Sequence, residues 1–417
     1  MLAAGIPSAS VVGISGRYRV HRPGGMSCLW LRPRARSASG GGGTAGWTHC
    51  CRDSIMRVRK KNVEVERVRG GVDLWAEDAQ GSSALRGFPE HLVIMVNGLV
   101  GSAEDWRFAA EQFVGKLPDK VIVHRSECNS SRMTFDGVDL MGERLADEVI
   151  SVVNNRSGVQ KISFVAHSLG GLIARYAIGR LYGISTNGDV SPAVNHLTES
   201  GNWKGQIAGL VPMNFITFAS PHLGSRGHKQ LPFLCGLPFL EQRASETAHL
   251  FVGRTGKHLF LTDNDDGRPP LLLRMVDDCD DIKFMSALRS FRRRVAYANA
   301  NYDHMVGWRT SSIRRQQELP KHHFLEADDR YPHVVHVDKE DKKIVIAELP
   351  SDVKYQDYDL EELMIQGLTQ VPWERVDVSF QKSRQRYIAH NTIQVKSYWL
   401  NSDGVDVISH MIDNFHI

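Results

Sequence analysis

Ile162-Ser163-Phe164-Val165-Ala166-His167-Ser168-Leu169-Gly170-Gly171-Leu172-Ile173-Ala174-Arg175-Tyr176-Ala177 reads in three parts. Ile162 to Val165 is a short apolar run of the kind that forms a strand buried on both faces. From Leu169 to Tyr182, the residues Leu172, Ile173, Tyr176, Ala177 and Leu181 recur at helical spacing. Ser168 stands between the two, with no room for an ordinary loop. A serine at so sharp a strand-to-helix turn has the geometry of a nucleophile elbow. The turn strains the serine backbone, so the residues two away must be small, and here they are Ala166 and Gly170. The usual pattern has glycine at both places, and Ala166 departs from it by one methyl group. The helix that follows aims its free N–H groups at the serine, which favours negative charge developing there.

Upstream, His91 to Val96 is a second buried-strand run, and it ends in Asn97-Gly98-Leu99-Val100-Gly101-Ser102. Trp106, Ala109, Ala110, Phe113 and Leu117 then fall on one helical face, with Ser102 expected as N-cap and Asp105 three residues later. A glycine-rich turn after an early strand is where an elbow-type site places its second oxyanion donor. The predicted oxyanion hole is therefore the backbone N–H of Leu99 with that of Leu169. Lys120 to Ser126 reads as the next strand. Val138, Met141, Leu145, Val149 and Val152 mark a long amphipathic helix before the elbow strand. The order β-α-β-α-β-elbow-α predicts a mostly parallel, doubly wound sheet with helices on both faces.

Downstream, Phe215 to Ala219 is a further strand, ending in Ser220-Pro221-His222-Leu223-Gly224. His222 lies at a strand's C-terminal edge, where ligands bind in α/β sheets. It reads as structural or site-lining, because a base histidine comes last in this chain order. Residues 226–292 break the strand rhythm and are expected to form a cap or lid. The apolar run Leu231 to Leu240, broken by Pro and Gly, fits a lid flank or a buried connector equally. The acidic residues Asp277, Asp278, Asp280 and Asp281 lack EF-hand spacing and read as a solvated turn. Arg294 to Asn299 is strand-like, and Asp303 falls just beyond it. The charged stretch 311–370 reads as a peripheral polar insertion. Val376 to Phe380 alternates as a strand should. The loop Ser383 to Asn391 carries His390, and Val405 to Phe415 closes the body as a helix in which His410 reads as structural.

The chain has 417 residues, 42% hydrophobic and 24% charged, the make-up of a globular protein. No apolar run approaches the ~18 residues of a membrane span. The net charge of +4 is uneven: residues 1–52 hold seven arginines, no lysine and no acidic residue, so the rest carries −3. This charge does not point to nucleic acid, and no basic–aromatic interleaving suggests it. Six cysteines, at 28, 50, 51, 128, 235 and 279, include no C-x-x-C pair. That pattern argues against a disulfide framework or a zinc site, and for a reducing compartment. Residues 1–55, rich in Arg, Ser, Gly and Ala, have the composition of a transit peptide, with plastid favoured over mitochondrion. A disordered tail, or initiation at Met56 of a cytosolic protein, fits as well. Residues 56–417 are expected to form one domain.

At Val96 to Ser102, Ala166 to Gly171, Ala219 to Gly224, Asn299 to Arg309 and Ala389 to Asn391 the chain resembles the serine-esterase family of lipase-like α/β-hydrolases, its plant members in particular. The resemblance covers roughly residues 88–417. Many lipases carry His-Gly at the oxyanion turn, and here Asn97 replaces that histidine. The chain order Ser168, Asp303, His390 is that of α/β-hydrolases. What the resemblance implies is the α/β-hydrolase fold and ester hydrolysis of a lipid or other acyl ester. Ser168 would be the nucleophile, His390 the base, Asp303 its orienting carboxylate, and no cofactor or metal would be needed. Contact with a membrane surface is left open. Two other readings remain at this stage. One is a non-catalytic receptor or scaffold on the same fold, and the other is thioesterase or acyltransferase chemistry at the same site.

Overall fold

The computed structural model describes residues 63–68, 71–76, 89–184, 205–225, 253–264, 267–321, 325–339 and 359–417. Residues 1–55 and the run Leu231 to Leu240 lie outside the described residues. The buried runs seen in the sequence become strands because each puts alternate side chains into two separate cores. Leu92, Ile94 and Val96 of β3 (His91–Val96) enter one core, whereas Val93 and Met95 enter the other. In β5 (Lys161–His167), Ile162, Phe164 and Ala166 join the first core and Val165 the second.

The other strands are β1 (Val63–Val68), β2 (Gly71–Ala76), β4 (Val121–Ser126), β6 (Val211–Phe218), β7 (Arg293–Asn299), β8 (Val334–Lys339) and β9 (Glu374–Val378). They form a single sheet in the order β1-β2-β4-β3-β5-β6-β7-β9-β8. From β4 to β9 every neighbouring pair is parallel. Antiparallel pairs occur at the two margins, β1–β2–β4 on one side and β9–β8 on the other. Helix α1 (Arg107–Lys116) and the helix Val405–Asp413 cover one face, packing Phe113, Val407, Ile408 and Met411 into its core. Helices α2 (Val138–Asn154) and α3 (Leu169–Leu181) cover the other. This is the α/β-hydrolase arrangement, with the strand order reversing at β3.

Three expectations are modified. The described part of 226–292 belongs to the main core. Leu271, Leu272, Leu273, Met285 and Leu288 are buried there, and the Phe284 ring meets that of Tyr176 on α3 at 5.6 Å. An apolar stripe of this width gains more against α3 than over a solvated mouth. The polar stretch 311–370 supplies an edge strand, β8, and a helix, Leu360–Leu368, whose Met364, Ile365 and Leu368 are buried. The segment after Asn97–Ser102 begins as a tight 3₁₀ turn, Ala103–Trp106, with no bond from the Ser102 hydroxyl. The Asp105 carboxylate instead meets Lys396 Nζ at 3.0 Å. In the acidic cluster, Asp278 caps the helix Phe284–Ser290, accepting from the backbone N–H of Met285 at 2.8 Å and of Ser286 at 3.0 Å.

Candidate active site

Ser168 sits between β5 and α3 with φ 54° and ψ −129°, a conformation that costs a non-glycine residue about 1–3 kcal/mol. The surrounding structure holds it there. The Ser168 N–H donates to the carbonyl of Phe218 on β6 at 2.8 Å, and the Gly171 N–H donates to the Ser168 carbonyl at 3.1 Å. A methyl group at Gly170 would come within 2.6 Å of the carbonyl oxygens of Val96 and Asn97, and one at Gly171 within 2.2 Å of Ser220 Oγ. Helix α3 can therefore approach β3 and β6 only with glycine at both places. Ala166 lies within the strand, fully buried, where its methyl group is part of the core.

Asp303 follows β7 and His390 follows β9, both beyond the C-terminal ends of parallel strands. The structure brings these residues and Ser168 together. The Ser168 hydroxyl lies 3.0 Å from His390 Nε2, and His390 Nδ1 lies 3.0 Å from Asp303 Oδ2. All three side chains are buried. His390 stands in a one-turn helix, Ala389–Thr392, rather than in an open loop. Burial pushes the Asp303 carboxyl upward. The opposing charge and hydrogen bond of His390, the Val306 N–H and the Asn299 amide outweigh that effect and hold it below the usual carboxylate range. An ionised Asp303 only accepts, so Nδ1 of His390 donates to it and Nε2 of the neutral ring is left to accept from Ser168. The other Asp303 oxygen accepts from the N–H groups of Met305 at 3.0 Å and Val306 at 2.9 Å.

The Asn97–Ser102 turn lies directly against Ser168. A methyl group on Gly98 would sit 2.8 Å from Ser168 Cβ and 3.2 Å from the His167 carbonyl. Leu99 follows Gly98, and Leu169 is the first residue of α3, so its N–H has no partner within the helix. The Asn97 side chain points elsewhere, donating to the Asn129 carbonyl at 3.0 Å and the Gly98 carbonyl at 3.2 Å. It braces the turn from behind. Gly98→Ala is expected to displace the turn and lower kcat on the order of 10²–10³-fold, the loss typical of one oxyanion donor. Steady-state kinetics with a melting curve check this; normal turnover in the variant would show that the turn takes no part.

Other residues support the site without any signal that pattern reading could use. His167 Nε2 donates to the backbone carbonyl of His390 at 2.7 Å, so the residue before Ser168 holds His390 in place. Beyond Asp303, Arg314 makes a buried pair with Asp377 of β9, its Nη1 donating to both carboxylate oxygens at 2.8 and 2.9 Å. Trp308 Nε1 donates to the same carboxylate at 2.6 Å. The segment that follows Asp303 is thus tied to the strand that delivers His390. His222 lies outside this relay, fully buried with Nε2 3.0 Å from Thr217 Oγ1. Its carbonyl accepts from Arg175, itself buried at the heart of α3.

Three buried histidines make the fold acid-sensitive. Burial, aided by Lys161, lowers His91 to about 3. Burial foremost holds His167 and His222 well below the ordinary 6.5. The unfolded chain takes up these protons below pH 6.5, whereas the folded chain stays neutral, so stability is complete above 6.5 and falls with acidification. For His91 the loss continues down to about pH 3. Each histidine contributes up to ~2 kcal/mol of this loss between pH 7 and pH 5. Urea unfolding at the two pH values measures it, and equal stability at both would contradict the neutral assignments.

Residues 88–313 match the family model described as "Putative serine esterase (DUF676)". A Saccharomyces cerevisiae protein named "Putative lipase ROG1" is 30% identical over 246 residues, covering 58% of this chain and 31% of that protein. The Schizosaccharomyces pombe "Putative lipase C4A8.10" is 27% identical over 232 residues, 54% of this chain and 26% of that one. The chain thus spans about a third or less of the length of these curated relatives. Among solved structures, a Bacillus licheniformis lipase, BlEst2, aligns at 16% identity over 54% of this chain and 70% of its own, with a TM-score of 0.30. The Pyrococcus furiosus esterase Pf2001 aligns at 12% identity over 60% and 74%, with a TM-score of 0.33. At such scores the fold assignment rests on the strand order itself. The family model covers more than half of the chain, including the elbow and Asp303, and the chain belongs to this serine-esterase family.

Proposed function

We propose that the protein is a serine hydrolase that cleaves carboxylic esters, with lipid or other acyl esters as its substrate class. The observation that carries this reading is the continuous relay from Ser168 Oγ to His390 Nε2 and from His390 Nδ1 to Asp303, each step 3.0 Å. In the proposed cycle, Ser168 Oγ attacks the acyl carbonyl while His390 takes its proton. Asp303 keeps the ring in the required tautomer and stabilises the imidazolium that forms. The N–H groups of Leu99 and Leu169 receive the oxyanion. His390 then gives its proton to the departing alcohol. Water, deprotonated by the same ring, attacks the acyl-serine, and His390 returns that proton to Ser168 Oγ as the acid leaves. The chain's own groups handle every proton and charge in this sequence.

A fluorophosphonate probe combined with an acyl-substrate profile tests the reading. Labelling at Ser168 with turnover of oxygen esters is the expected result. Turnover confined to thioesters, or to transfer onto an acceptor alcohol, would reassign the reaction at the same serine. A folded protein that neither labels nor turns over any acyl compound would return the chain to a binding role.

A further inference from the structure

The segment around the base has an unusual surface. Between Asp377 and Asp403, residues 378–402 contain Lys382, Arg384, Arg386 and Lys396 and no acidic residue. The same segment exposes large apolar and aromatic side chains on both sides of His390. Tyr387 is 64% and Ile388 40% exposed just before it, and Tyr398 is 45%, Leu400 64% and Trp399 92% exposed just after. A tryptophan so open to water forgoes the burial that normally pays for its size.

Its placement is fixed by its neighbours. The Tyr398 ring stacks on Phe108 of α1 with centroids 5.3 Å apart. The Asn401 side chain donates to Thr392 Oγ1 at 3.0 Å and accepts from the Ser397 N–H at 3.1 Å. The one-turn helix Tyr398–Asn401 is therefore held to the turn that carries His390, while Trp399 and Leu400 between its anchors face solvent. On the other side, the Arg386 guanidinium lies 4.7 Å from the Tyr387 ring centroid and 5.7 Å from that of Tyr302, the residue before Asp303. Lys396 is partly neutralised by Asp105, whereas Lys382 and Arg384 are exposed.

We propose that this face docks onto a phospholipid surface bearing anionic headgroups, with Trp399 and Leu400 entering the headgroup region and Lys382 and Arg384 facing the anions. Charge complementarity selects the occupant: an acid-free basic segment interleaved with Tyr and Trp suits an anionic interface, where amphipathic aromatic rings settle at headgroup depth. Among the described residues no helix is long and apolar enough to cross a membrane. What the docking serves rests on the ester-hydrolase reading; the docking itself does not.

The test is co-sedimentation of the full chain with vesicles of phosphatidylcholine alone or mixed with phosphatidylserine, alongside turnover of a water-soluble aryl ester. The wild type is expected to bind the mixed vesicles. Trp399→Ser/Leu400→Ser should weaken that binding by at least ~10-fold, and Lys382→Gln/Arg384→Gln by about fivefold per charge. The charge variant should change nothing on phosphatidylcholine alone, and both should hydrolyse the soluble ester normally. Ser168→Ala should bind vesicles like the wild type. A wild type that ignores vesicles, or a Trp399→Ser/Leu400→Ser variant that binds them equally, would overturn the proposal. So would a wild type that self-associates through this face, with loss in the variant and no vesicle binding, because the occupant would then be a second copy. Vesicle binding with no turnover of any ester would leave the surface in place and remove the hydrolase reading, and soluble-ester turnover without vesicle binding would do the reverse.

Discussion

Ser168→Ala is expected to abolish covalent capture by a fluorophosphonate and to lower ester turnover by at least ~10³-fold, with the fold unchanged. The substitution removes one oxygen atom, and Ser168 Oγ is hydrogen-bonded to His390 alone among the side chains of the site. The backbone bonds that hold the turn, from Ser168 N–H to Phe218 and from Gly171 N–H to Ser168, do not involve the hydroxyl. Alanine bears the same φ of 54° at similar cost, so the melting temperature should stay close to that of the wild type. The fold-neutral loss of labelling separates a nucleophile from a buried serine that merely packs. Undiminished labelling of a folded Ser168→Ala protein would place the reactive serine elsewhere and end the elbow assignment.

The second large effect separates two histidines. His390→Ala is expected to lower kcat by at least ~10³-fold, because nucleophile and base act as a unit. His410→Ala should leave kcat within an order of magnitude and lower the melting temperature instead. His410 is buried in the helix Val405–Asp413, with Nδ1 2.8 Å from the Tyr297 hydroxyl and its ring 4.9 Å from that of Tyr331. Truncating it leaves a cavity and deprives a buried phenol of its partner, a combination that costs about 2–4 kcal/mol. Turnover of a short-chain aryl ester and a melting curve, measured on both variants, decide between the roles. A folded His390→Ala enzyme with near-normal kcat beside an inactive His410→Ala enzyme would reverse them.

The parallel part of the sheet was legible because strands buried on both faces are nearly continuous apolar runs, as Leu92 to Val96 is and as Ile162 to Val165 is but for the buried Ser163. The elbow was legible because sterics admit few residues beside a serine at positive φ. Asp303 and His390 were reachable from their places just past late strands, together with the chain order that the resemblance implies. The remaining features lacked a local signature. The bond from His167 to the His390 carbonyl joins residues 223 positions apart through a backbone atom that every residue possesses. The Arg314–Asp377 pair looks in sequence like two ordinary surface charges until packing buries both. Strand β8 has no clear signature because an edge strand keeps one side wet: Val334 is buried but Val337 is 39% exposed, and Asp338 and Lys339 lead into a charged run. The core role of 271–288 within the expected lid 226–292 has no such signature, because apolar runs in a long insertion read the same whether they cover a mouth or fill a core.

The strand order has a consequence for biosynthesis. Strand β9 lies between β7 and β8, yet it follows both in the chain. As the polypeptide emerges from the ribosome, β7 is complete with one open edge, and β8 has no neighbour to pair with until Glu374–Val378 is made. During that interval the nascent protein carries Ser168 and Asp303 without His390, together with unpaired strand edges of the kind that recruit other chains. Synthesis halted between 339 and 374 would therefore yield a product that is both sticky and inert, a natural client for chaperones that shield exposed β-edges.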